Sequence, residues 1–173
     1  MLKFYLVFMP NHQYHAEKRN RFRDTADFLF NNQIPNAKNS SCDSNVQDYF
    51  YTTVHEAERF LDEFFDYHSN GHGRREALMD HWRATGNRQI TNETTLRRNS
   101  RSFNSTEELF NTRTFFFYAS LNALREALVY GDEQYGPLRH AERHDVEIAK
   151  RYALGFIQSL QRHEAYLHRN GII

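Results

Sequence analysis

A chain of 173 residues falls in the size range of one domain and is long enough to bury a core without disulfides or metal as staples. Lys plus Arg equals Asp plus Glu at 22 each, so no net field concentrates it on nucleic acid or an anionic membrane, and binding to either needs a local patch. Mean hydropathy is low at −0.83, yet aromatic residues make up 15%, which excludes the aromatic-poor composition of a disordered chain and points to a core built on Phe and Tyr.

Of the 22 cations only four are lysines (Lys3, Lys18, Lys38 and Lys150). Guanidinium offers planar, bidentate hydrogen bonding to phosphate or carboxylate that ammonium does not, although compositional bias produces the same ratio. The single cysteine, Cys42, lies in a polar stretch, where it leaves no internal disulfide and no Cys-based zinc site. A reducing, cytoplasmic compartment is the expectation.

Residues 2 to 9 are aromatic and β-branched and stop at Pro10-Asn11, which predicts a short N-terminal strand. The run is too short to span a bilayer and lacks a small-residue cleavage site, so it reads neither as an anchor nor as a signal peptide. From Tyr14 to Asn32 the apolar positions Phe22, Ala26, Leu29 and Phe30 recur at helical spacing. Residues 33 to 44 read as a polar loop, and Ser44-Asn-Val-Gln47 fits a capping box opening the next helix. That helix is the most regular in the chain, with Val46, Phe50, Val54, Ala57, Leu61 and Phe64 on one face and Tyr49, Thr53, Phe60 and Phe65 beside them.

The turn His68-Ser-Asn-Gly-His-Gly73 breaks the pattern, and Arg74 to Ala84 can form a short helix. Residues 86 to 104 have no periodicity and carry Arg88, Arg97, Arg98 and Arg101 against one acid, Glu93, as a basic mobile loop does. Ser105-Thr-Glu-Glu108 is a second capping box, opening a helix through Phe115, Phe116, Phe117, Leu121, Leu124 and Leu128 that stops at Gly131. Three adjacent phenylalanines predict burial on more than one side. The last helix starts at Pro137, a favoured first-turn residue, and runs to about Arg169 with Gly171 as its cap. The expected fold is mainly α: one domain over residues 1–173, a bundle of four or five helices with a short N-terminal β-strand.

The segment Gly136-Pro-Leu-Arg-His-Ala-Glu-Arg-His-Asp145 sets two arginines and two histidines at the start of that last helix. On a wheel of roughly 100° per residue, Leu138, Ala141, Ile148, Ala149, Tyr152, Phe156, Leu160 and His163 share one side, and His140, His144, Glu147 and Arg151 share the other. His163 reads as a core histidine. The outward four can be a solvated face, or His140, His144 and Glu147 can be three ligands for an ion such as zinc. The preferred reading needs no metal and no other cofactor.

Arg139-His-Ala-Glu-Arg-His144 resembles the Arg-polar-x-x-x-His motif of HEPN (higher eukaryotes and prokaryotes nucleotide-binding) domains, small helical bundles, commonly dimeric, many of them metal-independent ribonucleases or relics of such enzymes. The resemblance covers residues 105 to 169. It implies Arg139 and His144 as the catalytic pair with His140 in the polar position, and Arg88, Arg97, Arg98 and Arg101 are then the natural phosphate contacts. A homodimer is implied as well, with Arg143, Glu147 and Arg151 at its interface.

The chemistry is coherent: a metal-free ribonuclease needs a group titrating near neutrality to move the 2′-hydroxyl proton or protonate the leaving oxygen. It also needs a fixed cation for the charge that grows on the phosphate. On a continuous helix Arg139 and His144 lie about 140° apart, so a distorted first turn or a second copy must bring them together. The alternative is a non-catalytic interaction protein, such as a phage or mobile-element inhibitor that masks a host protein through Tyr and Arg, the residues that dominate binding hot spots.

Overall fold

The structure, a computed structural model, describes residues 11–32, 40–65, 67, 75, 96–98, 101–103, 110–129, 140–171 and 173. The protein is mainly helical. Four helices are described, α1 (Asn11–Asn31), α2 (Ser40–Phe65), α3 (Thr112–Val129) and α4 (Arg143–Arg169), with two three-residue strands, β1 (Leu96–Arg98) and β2 (Arg101–Phe103), between α2 and α3. The N-terminal strand expected over residues 2 to 9 lies outside the described residues, as does the short helix expected over 74 to 84, apart from Arg75.

The helix α2 is the centre of the bundle: it packs against α1, α3 and α4, and α3 packs against α4. Its periodicity was a sound guide, since Val46, Tyr49, Phe50, Thr53, Val54, Ala57, Phe60, Leu61, Phe64 and Phe65 are all buried. A helix with neighbours on three sides must also bury positions off its apolar stripe, and Asn45, Thr52, Glu56 and Glu58 are buried too. Thr52 and Thr53 satisfy their hydroxyls on the backbone oxygens of Asp48 (2.8 Å) and Phe50 (2.7 Å), as buried polar groups must.

Aromatic edges knit the core: Phe50 meets Tyr118 with centroids 5.6 Å apart, Tyr118 meets Phe156 at 6.0 Å, and Phe60 meets Phe110 at 5.3 Å. Such pairs contribute about 0.5–1.5 kcal/mol each beyond the area they bury. In α3 the run of phenylalanines buries in part, with Phe115 and Phe117 packed against the core. Tyr118, Leu121 and Leu128 form the inner face, while Phe116, between Phe115 and Phe117, points outward and is 54% exposed.

Helix starts differ from the expected ones in three places, and the local hydrogen bonds explain two of them. The chain is helical from Ser40, which places Cys42 in α2 and buries it, so the Ser44–Gln47 box lies inside the helix and residues 40 to 44 of the expected polar loop are helical. The start of α3 falls at Thr112, where the Asn111 side chain accepts the Thr114 N–H at 2.9 Å as an N-cap; the Ser105–Glu108 box lies outside the described residues. The last helix begins at Arg143 instead of Pro137, with extended Glu142 as N-cap and the Asp145 carboxylate accepting the Glu142 N–H at 2.8 Å. Its end is as expected: Gly171 adopts φ +63° and donates to the His168 carbonyl at 3.0 Å.

Candidate functional site

The start of α4 is tied to the start of α2 by one side chain. Asp43 accepts the Ala141 N–H on Oδ1 at 2.6 Å, and its Oδ2 meets Nδ1 of His140 at 2.8 Å. Ala141 is fully buried, whereas the His140 ring remains 68% exposed. His144, one turn further on, is exposed within the first turn of α4, beside the Glu142–Asp145 capping pair, where the helix dipole favours negative charge. Two imidazoles thus bracket the N-cap, one ahead of the helix and one inside it.

Because α4 starts at Arg143, His140 is not part of the helix and the wheel placing it beside His144, Glu147 and Arg151 does not hold for it. The same start removes the basis for a fixed 140° between Arg139 and His144. Arg139 itself, and Arg88, lie outside the described residues. His140, His144 and Glu147 do not gather as metal ligands: no group of three or more ligating side chains is found among the described residues.

Of the expected interface residues, Arg143 is 58% exposed but already engaged, its guanidinium 3.5 Å from Glu147 and 5.0 Å from the centroid of Phe30 on α1. Arg151 is exposed. Arg97, Arg98 and Arg101 fall on the strands, so residues 86 to 104 are not wholly irregular. Antiparallel pairing sets Arg97 opposite Ser102 and Arg98 opposite Arg101 in backbone register. His163 is buried on the inner side of α4 and stacks on Tyr166.

A second polar cluster, between α1 and α2, had no sequence forecast. His15 and His55 face each other Nδ1 to Nδ1 at 2.9 Å, and Phe22 stacks on His55 with an interplanar angle of 11°. Burial, then the neighbouring His15, Lys18 and Arg75, push the His55 imidazole down to about 4, against the opposing pull of Glu58. Beside it, Arg75 donates to Glu58 at 2.8 and 2.5 Å and to the Tyr118 hydroxyl at 3.2 Å. Arg75 is itself only 5% exposed. Glu56, fully buried, is held by Arg19 at 2.6 Å and Arg59 at 3.2 Å, and Arg59 continues to Glu63 and to Glu164 of α4. Glu56, Glu58, Glu63 and Glu164 each have a guanidinium, which identifies the cluster as cross-bracing of the bundle. The available signal was the acidic crowding of α2 at Glu56, Glu58, Asp62 and Glu63.

No protein-family model, curated protein or solved structure matches the chain. Among the described residues no helix is long and apolar enough to cross a membrane.

Proposed function

We propose that the chain is a HEPN-like, metal-independent ribonuclease, or an RNA-binding relic of one, acting in the cytoplasm as a homodimer. The observation that carries this reading is the pair of exposed imidazoles, His140 and His144, bracketing the start of α4 beside Arg139 in the sequence. RNA supplies its own nucleophile, the 2′-hydroxyl, so a site needs only proton acceptors and donors at two oxygens and positive charge at the phosphate. His140 and His144 are the candidates for proton transfer. Arg139, the dipole of α4 and the arginines of β1 and β2 are the candidates for charge.

The test is cleavage of labelled RNA by purified protein in EDTA, followed across a size-exclusion profile. Cleavage that co-elutes with a species of twice the 20.7 kDa chain mass, and that His144→Ala lowers at least about a hundredfold, supports the reading. Activity unchanged by His144→Ala, or none at all, removes the catalytic form of the reading; no RNA binding either removes the relic.

A second reading, an interaction protein that masks a host partner, is favoured by Phe28 and Phe116, which are 65% and 54% exposed. Large apolar side chains on a surface mark binding sites when they cluster; Phe116 does so, packing edge-on to Phe117 and Tyr152.

A further inference from the structure

We infer that Asp43 is the positioning residue of the proposed site: it fixes the tautomer of His140 and so makes that imidazole the base that takes the 2′-hydroxyl proton. The inference rests on the ribonuclease reading and deepens it.

The two oxygens of Asp43 do different jobs. Oδ1 accepts the N–H of fully buried Ala141 at 2.6 Å, a bond that docks the segment before α4 onto the first turn of α2. That docking is complete with one oxygen. Oδ2 is spent on Nδ1 of His140 at 2.8 Å, although the ring is 68% exposed and an exposed pair of this kind adds little stability. What the second contact does supply is orientation. A carboxylate oxygen is an acceptor only, so a neutral imidazole facing it carries its proton on Nδ1 and presents its lone pair at Nε2. The docking bond holds the backbone next to that ring, so the carboxylate fixes both the position of His140 and its tautomer.

Nε2 of His140 takes the 2′-hydroxyl proton as the 2′ oxygen bonds to phosphorus, the bond from phosphorus to the 5′ oxygen breaks, and protonated His144 gives the leaving oxygen its proton. The products are a 2′,3′-cyclic phosphate and a 5′-hydroxyl, and solvent returns both imidazoles to their starting states.

Asp43→Asn tests this with little change of shape. Its amide oxygen can keep the Ala141 bond, while its NH2 group turns to Nδ1 and selects the opposite tautomer. Nitrogen-15 NMR of the unsubstituted protein is expected to show His140 protonated on Nδ1, and Asp43→Asn to show it protonated on Nε2. Cleavage in EDTA is expected to lose about ten- to a hundredfold in kcat with KM unchanged. An Nε2-protonated His140 in the unsubstituted protein, or an Asp43→Asn protein with full kcat, overturns the role of Asp43 while leaving the ribonuclease reading in place. Absence of cleavage by the unsubstituted protein overturns that reading, and the role of Asp43 with it.

Discussion

Glu56 and Glu58 lie two residues apart on α2, and each meets an arginine from a different part of the chain, Arg19 for the first and Arg75 for the second. Removing one partner of such a buried pair leaves an uncompensated charge and costs about 3–5 kcal/mol. His55 stands among these ions as a group that folding keeps neutral, and this gives the protein a defined acid limit. Its folded value of about 4 lies below the ordinary 6.5, so the unfolded chain binds the proton more readily. The stabilisation is therefore complete above pH 6.5, declines as the pH falls, and is gone below pH 4. Because the ring is partly exposed, solvent screening leaves only part of the shift's full value, about 1–2 kcal/mol. Urea unfolding between pH 7 and pH 4 should show this loss, and His55→Gln should flatten it; an equally steep loss in His55→Gln would assign the acid limit to other groups.

At the scale of elements, α3 and α4 approach closely because Gly155 has no side chain. A Cβ there would sit 2.7 Å from the Phe117 ring, which is itself held between Phe116, Tyr152 and the guanidinium of Arg113. Alanine gains about 1 kcal/mol of helix propensity over glycine, but overpacking costs about 1–3 kcal/mol. Gly155→Ala should lower stability by about 1 kcal/mol in wild-type surroundings and raise it by a similar amount in a Phe117→Ala background, as read by urea midpoints. Stabilisation in both backgrounds would show that the ring moves aside freely.

What sequence made legible follows the same division. The 3.6-residue period located the inner face of α2 almost residue for residue, and it placed Ala149, Phe156, Leu160 and His163 on the inner side of α4. Helix starts were less legible, because they depend on which of several local hydrogen bonds forms. Pro137 and Ser44 both look like starting signals, but the reciprocal pair Glu142–Asp145 opens α4, and the backbone is helical four residues ahead of Ser44. At the candidate site the histidines were conspicuous in sequence, whereas Asp43 was not, since it lies 97 residues from His140 and no spacing rule reaches that far.

At the scale of the whole molecule, the buried ion pairs and aromatic contacts hold four helices rigidly enough that the start of α2 and the start of α4 can share one carboxylate. The bundle in this account is a scaffold that delivers two exposed imidazoles to one end of a helix. The measurement that bears most directly on that claim is end-group analysis of RNA cleaved in EDTA, using a substrate and its counterpart carrying 2′-deoxy at the cleaved position. The first is expected to yield 2′,3′-cyclic phosphate and 5′-hydroxyl ends and the second to remain uncleaved. Cleavage at the 2′-deoxy position, or an RNA left intact, would contradict that claim.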